Sequence, residues 1–147
     1  MESAVLVRHL MTSDVKTVGA NDTLREIIQK MVKFHIGSVV VVQEQRPIGI
    51  ITERDVLIRL AQATANLDLV KAKDLMSGPV LTISENQTVE EASKFMTQNH
   101  IKKLVVTRGE RLVGIVTSTD IMRSASRLTD DARTRALEWI WRRPEEP

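Results

Sequence analysis

The segment Gly49-Ile50-Ile51-Thr52-Glu53-Arg54-Asp55 occurs a second time, 65 residues further on, as Gly114-Ile115-Val116-Thr117-Ser118-Thr119-Asp120. The same offset continues upstream without a gap for about fifty residues, so that His35-Ile36 matches His100-Ile101 and Leu10-Met11 matches Leu75-Met76. A repeat of this length predicts two copies of one supersecondary unit, joined in tandem.

Each copy carries the same series of local signals. A short β-branched strand is followed by a capping box, Thr23-x-x-Glu26 or Thr88-x-x-Glu91, and then by a helix. The apolar residues of the first such helix are spaced as one buried face: Leu24, Ile27, Ile28, Met31 and Val32. Two apolar strands with a short polar turn come next, and a second helix is predicted to begin at about Asp55 or Asp120. The predicted strands cover residues 15–18, 38–42 and 48–52, then 80–83, 104–107 and 113–117, with turns at 44–46 and 108–110.

The repeat predicts a mixed α/β (α+β) fold of two β-α-β-β-α units. A copy of about sixty residues buries little surface alone, so we expect the two to pack sheet to sheet around a pseudo-two-fold axis. The expected boundaries are 1–65 for the first repeat with its N-terminal extension and 66–127 for the second, followed by a C-terminal helix and frayed tail at 128–147.

Composition excludes several classes of function. The chain has no cysteine, which removes disulfides, zinc-thiolate sites and thiol nucleophiles, and its three scattered histidines do not have metal-ligand spacing. No phosphate-binding loop or hydrolase motif occurs, so we expect no catalytic residues and no enzyme activity. The formal net charge is only +2, and there is neither a long apolar run nor a leader-like N-terminus. These features favour a cytoplasmic protein with no membrane partner.

The paired segments at 49–55 and 114–120 resemble the signature that closes each CBS domain: a glycine, two apolar residues, Thr or Ser, two variable residues and Asp. The resemblance covers about residues 8–125 and implies a tandem CBS pair, or Bateman module, of the stand-alone type. Such modules bind AMP, ADP or ATP, less often S-adenosylmethionine or NAD, in two clefts between the repeats, and they require no cofactor. Many form homodimers and regulate an enzyme or transporter.

Two Thr/Asp pairs are the candidate ligand contacts. A carboxylate at Asp55 or Asp120 can accept both hydroxyls of a ribose, and Thr52 or Thr117 can offer its hydroxyl to ribose or an α-phosphate. The helix that starts there adds free N–H groups for phosphate. The alternative is structural: Asp caps its helix and Thr ends a strand.

The resemblance also implies which segments hold the base. The start of the second strand of one half is expected to face the Thr/Asp pair of the other. This sets Ile36, Gly37 and Ser38 against Thr117 and Asp120. It likewise sets Ile101, Lys102 and Lys103 against Thr52 and Asp55. Gly37 and Ser38 leave more room for a base, which favours the Thr117/Asp120 cleft. The remaining candidates are the cationic residues Lys16 and Arg54, and the Lys102–Lys103 pair is either a phosphate counter-charge or a solvated surface pair.

Three functions remain open at this stage. The leading one is a non-catalytic adenine-nucleotide sensor. The second is a constitutive protein-interaction scaffold with vestigial clefts. The third is RNA binding through Lys102, Lys103 and an arginine-rich tail that also carries Trp139 and Trp141, although an aromatic content of 3% argues against base stacking. His35 and His100 occupy matching positions at a helix end and are expected to support the scaffold.

Overall fold

A computed structural model of the protein describes residues 4–62 and 65–124. This part of the chain contains a short 3-10 turn at Val7–His9, five α-helices and six strands. The first repeat consists of β1 Thr17–Gly19, α1 Leu24–Phe34, β2 Ser38–Gln43, β3 Arg46–Thr52 and α2 Glu53–Leu60. After the short α3 Ala72–Leu75, the second consists of β4 Thr82–Ser84, α4 Val89–Gln98, β5 Lys103–Arg108, β6 Arg111–Thr117 and α5 Ser118–Arg123. The predicted β-α-β-β-α order is confirmed in both copies.

Each repeat forms its own three-stranded sheet with the second strand in the centre. The first strand pairs parallel to the second, and the second pairs antiparallel to the third. The registers match at the repeat offset, with Thr17 opposite Val40 in one sheet and Thr82 opposite Val105 in the other. The hairpin turn of the first sheet contains only Glu44 and Gln45, both at positive φ, as a two-residue turn requires. The predicted turn through Arg46 is therefore too long by one residue.

The compact units are offset from the sequence repeats. Val15–Val80 forms the first unit, and the described parts of Met1–Asp14 and Leu81–Pro147 form the second unit. The N-terminal segment belongs to the second unit because the N–H of Val7 donates to the carbonyl of Gln87 (2.8 Å). In the same way the segment around α3 belongs to the first unit, where the N–H of Ala72 donates to the carbonyl of Asp22 (2.8 Å). Each unit is thus completed by a segment that precedes the other repeat.

Each unit has an aliphatic core between its helices and one face of its sheet. Leu24, Ile27 and Ile51 are fully buried in the first unit, and Leu104 and Ile121 occupy the second. Full burial of one such side chain stabilises a fold by roughly 1.5–3 kcal/mol.

The predicted apolar face of α1 is too wide at its C-terminal end. Met31 is buried, but Val32 is 68% exposed, because it borders an open groove between α1 and α2 instead of the core. The helix therefore buries a narrower stripe than its sequence periodicity suggests.

Threonine caps begin four of the helices. Thr88 and Glu91 form the predicted reciprocal capping box, in which Thr88 accepts from the N–H of Glu91 (3.1 Å) and Glu91 accepts from the N–H of Thr88 (3.0 Å). This backbone hydrogen bond lowers the pKa of the Glu91 carboxyl. At α1 only half of the box forms: Thr23 accepts from the N–H of Glu26 (3.3 Å), and within the described residues the Glu26 carboxylate does not return a bond.

In the second unit an ion pair joins a buried carboxylate to an exposed guanidinium. The Glu85 side chain is 6% exposed and accepts hydrogen bonds from the Nε and Nη2 atoms of Arg108. These bonds lower the pKa of Glu85, and Arg8 from the N-terminal segment adds a smaller attraction. The equivalent positions of the first repeat hold Ala20 and Gln43. The Glu85 carboxylate therefore attracts Arg8 of the N-terminal segment as well as Arg108 of the sheet.

No helix within residues 4–62 and 65–124 has the length and apolar character needed to cross a membrane. The C-terminal helix predicted over residues 128–141, with its two tryptophans, lies outside the described residues.

Candidate functional site

The structure places the candidate residues at two equivalent strand–helix corners. The first corner comprises residues 36–38 and 52–55, and the second corner comprises residues 101–103 and 117–120. In the first, Ser38 lies opposite Thr52 in the sheet, and the N–H of Glu53 donates to the carbonyl of Gly37 (2.9 Å). Backbone pairing in each unit therefore brings the start of the second strand beside the Thr/Asp motif of the same repeat.

The second corner repeats this geometry. Lys103 lies opposite Thr117, and the N–H of Ser118 donates to the carbonyl of Lys102 (2.9 Å). Ile101 precedes the strand and packs partly buried against the core. The facing of these segments across the two halves, as the resemblance implies, stays a prediction.

The Thr and Asp of each corner cap a helix together. In the first corner the N–H and hydroxyl of Thr52 both donate to Oδ2 of Asp55 (2.8 and 2.9 Å), and the N–H of Asp55 donates to the Thr52 hydroxyl (3.3 Å). In the second, the N–H of Thr117 donates to Oδ2 of Asp120 (2.9 Å), and the N–H of Asp120 donates to the Thr117 hydroxyl (3.1 Å). The helices thus begin at Glu53 and Ser118. The prediction of a start at about Asp55 or Asp120 is wrong by two residues, because Thr is the cap and Asp is its third-position partner.

The capping bonds use only one of the two carboxylate oxygens of Asp55 and of Asp120. All the hydrogen bonds that Asp55 and Asp120 accept within residues 4–62 and 65–124 go to Oδ2, so Oδ1 has no partner there. Both residues are half-buried, and the capping bonds to Oδ2 fix the direction of each carboxylate. The structural and the ligand-binding interpretations of these aspartates are therefore compatible.

The hydroxyls of Thr52 and Thr117 differ in whether they donate a hydrogen bond. Thr52 donates its proton to Asp55, whereas the Thr117 hydroxyl only accepts within the described residues. Thr117 can therefore donate a hydrogen bond to a ligand without breaking an internal one.

Glu53 is a component of the first corner that the sequence did not single out. Its side chain lies over Gly37: a Cβ placed on Gly37 would be 3.2 Å from Oε1 of Glu53 and 3.4 Å from its Cδ. The equivalent neighbours in the second corner are Lys102, which is exposed, and Ser118, which is half-buried. Position 53 is a variable position of the signature, and only the backbone pairing shows what it touches.

The other cationic candidates, Lys16 and Arg54, belong to the first unit. The carbonyl of Lys16 accepts from the N–H of Val40 (3.2 Å), which places Lys16 at the start of β1, and its ammonium lies 4.2 Å from the centre of the Phe34 ring. Arg54 is exposed at the start of α2. The repeat equivalents of these cations are Leu81 and Thr119, so neither is duplicated.

Depressions of the first unit adjoin Asp55 and Glu53. Asp55 borders a small one of about 150 Å³, which is polar and is also lined by Ile58, Arg59, Gln62, Asp74 and Leu75. A larger apolar groove of about 610 Å³ runs between α1 and α2. Its lining residues are Ile28, Met31, Val32, His35, Ile36, Glu53, Val56, Leu57 and Leu60.

His35 and His100 support the scaffold through their backbones. Both adopt the left-handed conformation, with φ of 53° and 56°, at the ends of α1 and α4. The residue after each histidine closes the helix, since the N–H of Ile36 donates to Met31 (3.1 Å) and that of Ile101 donates to Met96 (3.0 Å). The scaffold role expected of both histidines is therefore carried by their main chain, which ends the helix. Among the residues that the structure describes, no group of His, Asp and Glu has the arrangement of a metal site.

Comparison with known proteins places these corners in a known family. An uncharacterized protein of Methanopyrus kandleri, MK0525, is 44% identical over 121 residues, which cover 81% of this chain and 62% of that protein. The chain thus spans less than two thirds of that relative. The CBS domain-containing protein YhcV of Bacillus subtilis is 30% identical over 115 residues, or 78% of this chain and 81% of YhcV.

A solved structure with a similar fold contains bound ligands. The CBS domain pair of the protein MJ0100, in complex with 5′-methylthioadenosine and S-adenosyl-L-methionine, superposes with a TM-score of 0.71 at 28% identity, over 82% of this chain and 95% of that one. The family model for the CBS domain matches residues 7–62 and 72–127. Since each match contains one strand–helix corner, the chain belongs to the CBS domain family as a tandem pair.

Proposed function

We propose that this chain is a regulatory module that binds an adenine nucleotide, AMP, ADP or ATP, at its strand–helix corners and catalyses no reaction. The observation that carries the proposal is the pair of half-buried aspartates, Asp55 and Asp120, at equivalent positions, each with Oδ1 unpartnered among the described residues. The similarity to a CBS pair that holds two adenosine compounds supports this choice of ligand.

The corner suits a ribose for a physical reason. The two ribose hydroxyls are adjacent donors, and a carboxylate oxygen that is already oriented can accept them with little loss of conformational freedom. In the second corner the Thr117 hydroxyl is a further donor for ribose or phosphate.

Binding acts as a signal only if the ligand prefers one state of the module. A ligand shifts a conformational or assembly equilibrium by no more than its difference in affinity for the two states. The regulated partner is therefore a protein, such as an enzyme or transporter, that contacts the nucleotide-bound and nucleotide-free states unequally.

Thermal unfolding against AMP, ADP, ATP, S-adenosylmethionine, NAD and GMP tests the proposal. A ligand at about 100 times its Kd stabilises the folded state by about 2.7 kcal/mol, so we expect adenosine ligands to raise Tm by roughly 5–10 °C. GMP should have little effect. A flat response to the whole panel would favour the scaffold function, and binding of RNA that weakens steeply with salt would favour the third function.

We also propose that the apolar groove of the first unit is covered by a second copy of the chain. Val32 and Leu57 beside the groove are 68% and 66% exposed, whereas the repeat equivalent of Val32 is the polar Thr97. Apolar patches of this kind mark interaction sites, and two-fold dimers built from one self-complementary patch are the commonest assemblies. Glu53 lines the groove and Lys33 directly follows Val32 in the sequence, so charges of both signs lie at or beside the patch.

The Leu57→Arg variant tests this assembly by light scattering coupled to size exclusion. We expect the unmodified protein to elute as a dimer and Leu57→Arg as a monomer, because a buried unpaired charge opposes association. The control is Met122→Arg, at the equivalent position of the second repeat, which should remain dimeric. A monomeric unmodified protein, or a dimer that survives Leu57→Arg, would contradict the proposal.

A further inference from the structure

Two methionines lie directly against glycine backbones at equivalent positions of the two units. A Cβ built on Gly49 would be 2.6 Å from Sδ of Met76, and one built on Gly114 would be 2.6 Å from Sδ of Met11. Each sulfur therefore occupies the space in which a side chain of the glycine would lie. Such a close contact depends on the small volume of the thioether.

These two methionines differ from the other methionines that the structure describes. Met11 and Met76 are half-buried, and each packs against the aliphatic core of its unit. Met31 and Met96 are core residues that are 8% and 3% exposed, whereas Met122 on α5 is 42% exposed. Met11 and Met76 thus hold a structural contact at the edge of the core.

The segment that follows Met76 is bound to its sheet by long hydrogen bonds. The N–H of Ser77 donates to the carbonyl of Ile50 (3.1 Å), and the N–H of Ile50 donates to the carbonyl of Ser77 (3.5 Å). The equivalent bonds between Thr12 and Ile115 are shorter, at 2.8 and 3.0 Å. Because hydrogen bonds weaken with distance, residues 75–77 are held on β3 less firmly than residues 10–12 are held on β6.

The residues before the two methionines differ in the same direction. Leu10 is 9% exposed and belongs to the core of the second unit, whereas the equivalent Leu75 is only partly buried beside the core of the first. Segments with few buried contacts open locally at a low cost in free energy, and opening exposes the side chains that they cover. We therefore expect the sulfur of Met76 to reach solvent more often than the sulfur of Met11.

The chain has no cysteine, so all of its sulfur is in methionine. Thiolates are the groups that peroxides oxidise first, and here none is present to compete with a thioether. We infer that Met76 is a reversible oxidation site whose sulfoxide releases residues 75–77 from β3, and that Met11 is the slower equivalent site on the second unit. This property does not depend on nucleotide binding, and Met76 does not line the groove between α1 and α2.

The reaction with hydrogen peroxide needs no catalytic group from the protein. A lone pair of the Met76 sulfur attacks one peroxide oxygen, so that an S–O bond forms while the O–O bond breaks. The departing hydroxide takes the proton of the transferred oxygen and becomes water. The sulfur loses two electrons and the peroxide gains them. A methionine sulfoxide reductase reverses the change: two thiols become a disulfide, and the sulfoxide oxygen leaves as water.

The sulfoxide cannot keep the contact that the thioether makes. It carries an additional oxygen and is polar, whereas Met76 packs against an aliphatic core and against the backbone of Gly49. Overpacking opposes the closed position, and so does the burial of a polar group without a hydrogen bond. The free energy that holds residues 75–77 on β3 is therefore lost when Met76 is oxidised.

Peroxide treatment of the folded protein tests the inference, with peptide mass spectrometry to locate each added oxygen. We expect Met122 and Met76 to be oxidised, Met11 to follow more slowly, and Met31 and Met96 to stay reduced.

Hydrogen exchange on the same samples reports the release of the segment. The amides of Ser77 and Ile50 should exchange about 10-fold faster after oxidation, since overpacked positions lose stability on this scale. Treatment with methionine sulfoxide reductase should restore the original rates.

Three variants separate Met76 from the other methionines. Met76→Leu has nearly the same volume and cannot take up oxygen, so peroxide should leave the exchange of Ser77 and Ile50 unchanged. Met76→Gln places a polar group at the same position and should exchange rapidly without peroxide. Met122→Leu is the matched control, in which the peroxide effect should keep its full size.

Several results would overturn the inference. They are a Met76 that stays as reduced as Met96, a Met11 that reacts before Met76, and an oxidised Met76 with unchanged exchange at Ser77. A peroxide effect that persists in Met76→Leu would also overturn it, because another residue would then be the cause.

Discussion

Replacing Asp120 by alanine is expected to weaken AMP binding to the second corner by about 10- to 100-fold, because a hydrogen bond to a charged group contributes roughly 1.5–3 kcal/mol. The same change removes the carboxylate that accepts from the N–H of Thr117 (2.9 Å). Loss of such a capping interaction costs about 1 kcal/mol of folding free energy. Titration calorimetry and thermal unfolding, measured on the same samples, report the two effects separately.

Asp120→Asn separates the effect on binding from the effect on stability better than Asp120→Ala does. Asp120→Asn keeps an oxygen that can accept from Thr117, so its stability should stay close to that of the unmodified protein, while AMP binding at the second corner still weakens by about 10-fold because the charge is lost. The matched control is Glu91→Gln, which perturbs the capping box at Thr88 in the same unit and should leave binding unchanged. AMP affinity that is equal in Asp120→Asn, Asp120→Ala and the unmodified chain would show that Asp120 is only a cap.

Gly49→Ala is expected to destabilise the protein by about 1–3 kcal/mol through overpacking. A Cβ on Gly49 would lie 2.6 Å from Sδ of Met76 and 2.8 Å from its Cβ and Cγ, so the whole Met76 side chain would have to move. Met76 follows α3, and the bridge between Ile50 and Ser77 holds that segment on β3. Thermal unfolding should show a lower Tm, by about 2–4 °C for each kcal/mol.

Two controls isolate the steric cause. Gly19→Ala adds the same methyl group in β1, where the nearest atom is 3.7 Å away, and should be close to neutral. Met76→Ala combined with Gly49→Ala should be less destabilised than the sum of the single changes, because the two residues are in contact. If Gly49→Ala unfolds at the same temperature as Gly19→Ala, α3 is not packed on β3 as described.

The glycines explain part of what the sequence could and could not predict. The repeat places Gly49 and Gly114 at equivalent positions, and both face a methionine, Met76 or Met11. The element order follows from the periodicity and the caps. A translational repeat, however, does not say on which copy a linking segment packs. For this reason the exchange that puts Met11 with the second unit and Met76 with the first is visible only in the structure.

The candidate site was predictable to a similar extent. The threonine and aspartate of each corner are recognisable because their spacing of three residues is both a capping and a binding pattern. Glu53 was not recognisable from the sequence. Its side chain can lie over Gly37 only because that residue, sixteen positions earlier in the sequence, has no side chain. The exposure of Val32 was missed for a related reason: helical periodicity predicts which residues share a face but not whether a neighbouring helix covers all of it.

Calorimetric titration of the unmodified protein with AMP and with 2′-deoxy-AMP tests most directly whether Asp55 or Asp120 holds a ribose. The two ligands differ only in the 2′-hydroxyl, which would donate a hydrogen bond to the carboxylate. We expect AMP to bind, and 2′-deoxy-AMP to bind about 10-fold more weakly or not at all. Equal affinity for the two nucleotides, or no heat of binding for either, would contradict this expectation.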